Sequence, residues 1–240
     1  MHSARTVIPG LAAIAATALV LVVGLPASAA TKALTPAAQT ARSAAHAASP
    51  DRVLTFRNAM GKLWEDHITW TRLFIISDLT DAPDLPVTTQ RLLQNQVDIG
   101  DAIKPFYGDA AGDQLTALLR DHILIAADVV AAAKAGDSVA LSNQMERWQA
   151  NADQVGDFLG NANPDNWSAA EMKAMMRHHL DLTTAEVVAR LNQDWVGDVA
   201  AYDKVHLHIL VLADVLTNGI AAQFPSAFAD STQTTAQTTV

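Results

Sequence analysis

A recurrence constrains this chain more than any other feature. Around three histidines the sequence reads Leu63-Trp-Glu-Asp-His67-Ile68, Leu118-Leu-Arg-Asp-His122-Ile123 and Met175-Met-Arg-His-His179-Leu180, spacings of 55 and 57 positions. Apolar residues keep step with them: Met60, Leu115 and Met172 stand seven positions before, and Trp70, Ile125 and Leu182 three after. A second series falls between the first: Gly100-Asp101, Gly156-Asp157 and Ala213-Asp214, each with a polar residue (Asn95, Asn151, His208) five positions earlier. Two series sharing one offset of about 56 residues mark a repeated helix–turn–helix unit, which buries its apolar face only by stacking on further copies.

The apolar period between these landmarks is helical throughout. Helix 1 opens at Ser49-Pro50-Asp51, a cap residue followed by proline at the first helical position. Its inward face is expected to be Phe56, Met60, Leu63, His67, Trp70 and Phe74, and the Asp81–Pro86 loop ends it. Helix 2 is expected over 86–107, stopped by Pro105 and Gly108, and helix 3 over 113–134, ended by Gly136-Asp137. Helix 4 is expected over 138–159 with Gly160 as its stop. Helix 5 starts at the capping box Ser168-Ala-Ala-Glu171, with Trp167 before it as a staple. Helix 6 begins near Asp194 and stops at Asn218-Gly219. The predicted architecture is an all-α, six-helix up-down bundle built from three helical hairpin repeats, occupying residues 49–228.

Arg5, the apolar run Leu11–Leu25, Pro26 and Ala27-Ser28-Ala29-Ala30 follow the order of a secretory signal peptide. Residues 1–29 are therefore read as a signal peptide, 30–48 as a flexible Ala/Thr/Ser-rich spacer and 229–240 as a disordered tail, with a secreted or extracytoplasmic location expected. The most apolar later segment, Ile123–Ala133, is short and interrupted by Asp128, so no membrane insertion is expected after signal cleavage. A formal net charge of −9 with only 16 Lys+Arg disfavours nucleic acid and anionic membrane surfaces as partners. The chain has no cysteine. Disulfides, thiol catalysis, iron–sulfur clusters and thiolate metal sites are excluded, and stability rests on the apolar core.

A histidine in the middle of an apolar helix face needs a polar partner. One reading pairs each with its own hairpin, His67 with Asn95 and His122 with Asn151. The other packs the repeats around a common axis, so that His67, His122 and His179 converge. Three imidazoles and an open position make a zinc- or copper-type site, and a haem between two histidines is a variant. The third copy departs from the pattern. Glu186 stands where the others have Phe74 and Val129, His208 replaces asparagine, and Asp203 and His206 share a face at i, i+3. The candidate metal ligands are thus His67, His122, His179, His206 and His208, and the candidate ligand-binding groups are Asn95, Asn151, Glu186 and Asp203. Glu186 alternatively forms an ion pair with Arg190.

Di-iron bundles need two Glu-x-x-His motifs, which this sequence lacks. It also lacks the G-x-S-x-G, Walker and dinucleotide motifs. The leading expectation is a secreted binding protein whose histidine-lined interior holds a divalent metal or a small ligand. The alternatives are a structural or interaction module in which the histidines register the hairpins, and a metal-dependent enzyme.

The runs Leu63-Trp-Glu-Asp-His-Ile-Thr-Trp-Thr-Arg72, Asp98-Ile-Gly-Asp-Ala-Ile-Lys-Pro-Phe-Tyr-Gly108 and Tyr202-Asp-Lys-Val-His206 resemble a family of bacterial all-helical proteins without an assigned activity. The likeness extends over most of residues 55–225 and implies an all-helical domain. Members are sometimes named glycosyltransferase or acetylglutamate kinase, but the nucleotide-binding elements those activities require are absent here.

Overall fold

The structure, a computed structural model, describes residues 48–230. The expected signal peptide, the spacer up to residue 47 and the tail from residue 231 lie outside the described residues. Within them the chain is all-helical: α1 (Pro50–Leu79), α2 (Leu85–Tyr107), α3 (Asp109–Ala135), α4 (Ser138–Ala162), α5 (Ala169–Leu191), α6 (Trp195–Gln223) and a terminal 3₁₀ turn, Pro225–Phe228.

Local chemistry accounts for most of the boundaries. Pro50 begins α1 at a position whose N–H has no helical partner. The Asp137 carboxylate accepts from the Val139 and Ala140 amides at the start of α4, and the Asp194 carboxylate accepts from Gly197 at the start of α6. Of the expected capping box, the Ser168 half forms, its hydroxyl accepting from the Glu171 amide at 3.4 Å. Gly136 closes α3 with φ of 68°, a left-handed conformation that costs glycine little.

Two glycines expected to stop helices lie within them. Helix α4 continues past Gly160 to Ala162, and α6 past Gly219 to Gln223. Both glycines serve close approach instead. A Cβ on Gly160 would meet the Ala169 Cα at 2.6 Å, and one on Gly219 would meet the Trp167 indole nitrogen at 2.0 Å.

Each helix packs on its neighbours in sequence, and α6 packs on α1, so the six close into a ring. The core of the ring holds Met60, Trp64, Ile68, Ile99, Leu119, Val155, Leu180, Val205, Ile209 and Leu212. The buried stripe of α1 is rotated from the expected face. Trp64, Ile68, Thr71 and Ile75 join Met60, His67 and Phe74 inside, while Phe56, Leu63 and Trp70 are half-buried. A helix inside a closed ring is contacted from both sides, which widens its apolar stripe beyond a single row.

The two ends of the domain meet. Ala48 and Ala229 form an antiparallel bridge, and the Ser49 amide donates to the Phe228 carbonyl at 2.8 Å. Ala229, expected in the disordered tail, is thus tied to the start of the domain. Helix α6 corrects the expectation that no later segment is suited to a bilayer, because by length and composition it is long and apolar enough to cross one. Here Val205, Ile209, Leu212, Leu216 and Ile220 are buried against the ring.

Candidate functional site

His67 on α1, His122 on α3 and His179 on α5 are each at most 3 % exposed and meet at one level of the ring. The His179 ring touches the other two, its centroid 5.8 Å from His67 and 6.0 Å from His122. His208 on α6 also stacks on His179 at 6.0 Å, and exposed His178 meets His208 edge-on at 5.0 Å. Five imidazoles therefore run in contact from the surface into the centre.

Burial keeps the inner rings neutral. It pushes His67 down to about 3, with His122 adding to the effect, and His122 down to about 4. His179 falls well below the ordinary histidine range, through burial first and then its histidine neighbours. Burial also lowers half-buried His208. Neutral imidazoles offer a lone pair on one ring nitrogen, the form that binds a metal or accepts a hydrogen bond.

The partners of these rings are only partly those expected. His122 Nδ1 pairs with Asn151 Oδ1 at 2.8 Å. The expected His67–Asn95 pair does not form: Asn95 Oδ1 accepts from Gln96 Nε2 at 3.2 Å, and Gln96 is the polar side chain nearest in effect to His67. His67 Nδ1 and His179 Nδ1 are buried with no hydrogen-bond partner among the described residues, as are the indole nitrogens of Trp64 and Trp148 beside them. The other end of each polar side chain follows one rule. Asn95 Nδ2 donates to the Leu63 carbonyl at 3.0 Å and Asn151 Nδ2 to the Leu118 carbonyl at 3.0 Å, and His208 Nε2 pairs with the Met175 carbonyl at 3.1 Å. Each acceptor stands four residues before the central histidine of its helix.

Among the described residues, no group of three or more His, Asp or Glu side chains is arranged to hold a metal ion. Three of the residues singled out from sequence, Asp203, His206 and Glu186, lie away from the centre. Asp203 is exposed on α6. His206 pairs with Glu65 at 3.2 Å on the α1–α6 seam, its ring stacked on Tyr202 at 5.7 Å.

Glu186 belongs to a separate buried ion network. Arg72 Nη1 donates to Glu186 Oε1 at 2.6 Å and to Asp198 Oδ1 at 3.0 Å, and Arg72 Nη2 to Asp198 Oδ2 at 3.0 Å. Arg190, expected to pair with Glu186, donates to Asp198 Oδ2 at 2.8 Å. The Arg72 guanidinium also lies over the Tyr202 ring, 4.6 Å from its centroid. Burial raises Glu186 to about 7, against the pull of Arg72. Burial acts on Asp198 in the same direction, but the bonds from Arg72 and Arg190 outweigh it and hold that carboxyl below its ordinary range. Sequence reasoning did not assign Arg72, Asp198 or Tyr202 a role. The only signal was the presence of Arg72 and Tyr202 in the quoted runs.

Comparison with protein-family models, with curated proteins and with solved structures finds no match to this chain.

Proposed function

We propose that this chain is a helical-bundle binding protein whose histidine-lined centre takes up a small ligand or one metal ion of the zinc or copper class. The observation that carries the reading is the pair His67 and His179, rings 5.8 Å apart, each with a buried Nδ1 that lacks a partner among the described residues. A buried polar group without a partner costs about 1–3 kcal/mol, a cost that a bound group would relieve. The ring spacing suits an ion as well. Two imidazoles on one metal, with metal–nitrogen bonds near 2 Å, have centroids about 5–6 Å apart. Loading an ion would require the rings to turn so that their nitrogens converge. The order of the first thirty residues supports placing this protein outside the cytoplasm.

The test is metal content and ligand uptake of the purified domain, compared with the His67→Ala/His122→Ala double variant. Stoichiometric zinc or copper, lost in the variant, supports the metal form. Co-purified small molecules detected by native mass spectrometry and lost in the same variant support the ligand form. Neither species under any loading condition sinks the proposal.

One observation favours a second reading, in which the polar residues chiefly register three related up-down hairpins, α1–α2, α3–α4 and α5–α6. It is the threefold bond from Asn95, Asn151 and His208 to the carbonyl four residues before each histidine. Exchanging His208 for asparagine bears on it.

A further inference from the structure

One turn beyond the histidines, the ring is under-filled. The positions four residues after His67, His122 and His179 are Thr71, Ala126 and Thr183, all small. Thr71 and Thr183 turn their hydroxyls back to the carbonyls of His67 and His179, at 2.8 and 2.9 Å, and so leave their methyl groups facing inward. Three positions further on stand Phe74, Val129 and Glu186. Glu186 is drawn aside to Arg72 and does not fill the space that its equivalents occupy. The result is a cavity of about 60 Å³ between α1, α3, α4 and α5, against about 10 Å³ at the other end of the core.

The wall of this cavity exposes no polar atom, and of its three threonines only Thr184 has a hydroxyl without a partner, one polar group where a water needs at least two. Water held inside a protein needs two to four polar partners, and apolar cavities stay dry and accept apolar guests. Trp148 forms part of the wall and packs its ring on His122 at 5.4 Å, so an occupant would lie one side chain away from the histidine centre.

We infer that this cavity is a binding site for a compact apolar molecule of about two to four heavy atoms, a dissolved gas or a short hydrocarbon, since dry cavities of this kind take up xenon and benzene according to their size. The inference goes beyond the function proposed above, because the seat lies beside the histidines and not among them, and an apolar guest offers their ring nitrogens no partner.

The experiment uses metal-free protein and xenon as the probe, followed by xenon NMR and by the urea midpoint under xenon pressure. Saturable binding at one site per chain is expected, with an upward shift of the midpoint. Ala126→Leu and Ala133→Leu, which fill the cavity from α3, should each abolish xenon uptake while retaining helix content and a cooperative unfolding transition. Phe74→Ala should enlarge the cavity enough to admit benzene. The enlargement variant keeps the test decisive if a filled variant does not fold. No saturable xenon binding in the parent protein, or equal binding in the filled variants, overturns the inference. Because metal uptake is measured separately, xenon binding without metal uptake leaves this site standing and removes the metal form of the function. Metal uptake without xenon binding does the reverse.

Discussion

Arg72 and Glu186, 114 positions apart in the chain, are joined by a 2.6 Å bond between the guanidinium Nη1 and the carboxylate Oε1. The bond ties α1 to α5, and through Asp198 the same guanidinium reaches α6. The Arg72 side chain is 18 % exposed and those of Glu186 and Asp198 only 2 % and 3 %. This is therefore a desolvated network whose charges depend on one another.

Arg72→Met should lower the stability of the domain by about 3–5 kcal/mol near neutral pH, because removing one partner leaves a buried charge uncompensated. Glu186→Gln introduced into Arg72→Met should change stability little further, because Glu186, raised to about 7 even beside Arg72, takes up a proton once that guanidinium is gone. Urea unfolding of the three variants measures both effects. A loss below about 1 kcal/mol for Arg72→Met would put this network in the class of exposed pairs.

Stability should fall as the solution is acidified from pH 6.5 to 4.5. The folded state holds His67 near 3 and His122 near 4, against an ordinary 6.5, and lowers His179 and His208 as well. The unfolded chain takes up protons that these rings refuse, so their contribution is complete above 6.5 and is lost as pH falls. Glu186 acts in the opposite sense. Raised to about 7 from 4.5, it contributes fully below 4.5 and loses that contribution as pH rises through 7. The histidines outnumber it, and each net proton is worth about 1.4 kcal/mol per pH unit. The urea midpoint should therefore drop on acidification, less steeply in His67→Gln and more steeply in Glu186→Gln. A flat profile for the parent protein would mean that these rings are protonated, or open to water, in the folded state.

His208→Asn should be nearly neutral, within about 1 kcal/mol, because an asparagine there can donate to the Met175 carbonyl as Asn95 and Asn151 donate to theirs. His208→Leu should cost about 0.5–1.5 kcal/mol by removing this second bond to the Met175 carbonyl, which keeps its helical partner within α5. Equal losses for the two substitutions would argue that the third copy is not equivalent to the other two.

Gly219→Ala should destabilise by about 1–3 kcal/mol, the usual cost of forcing extra volume into a packed interior. The new methyl would fall 2.0 Å from an indole nitrogen that already donates to the Val215 carbonyl at 3.2 Å. Gly61→Ala is the matched control, because nothing lies within 4 Å of a Cβ there. It should stabilise α1 by about 0.5–1 kcal/mol. Thermal unfolding of the two variants separates the packing glycine from the merely permissive one.

Much of this architecture was legible in the chain. The 3.6-residue apolar period predicted six helices, and the caps at Asp194 and Ser168 placed two starts to within a residue. The spacing of the three histidines was readable too, but it fits two readings, and whether they meet depends on how the helices pack. Gly160 and Gly219 misled because a glycine that ends a helix and a glycine pressed against a neighbouring helix are the same letter. Only the neighbour, Ala169 or Trp167, tells them apart.

Sequence by itself determined the helical class, the absence of thiol chemistry, and a histidine at the same place in three similar segments. Period, composition and spacing are local properties, carried by residues within a few turns of one another. Tertiary structure decided what those segments meet. It brought His67, His122 and His208 into contact with His179, gave Asn151 to His122 while turning Asn95 to Gln96, and drew Glu186 away from Arg190 to Arg72. It also opened the cavity beside Trp148. Each of these outcomes depends on which helices become neighbours when the ring closes and on how far each helix is rotated about its axis. A rotation of one position exchanges a core residue for a seam residue, and α1 shows this in burying Trp64 and Thr71 where Leu63 and Trp70 were expected.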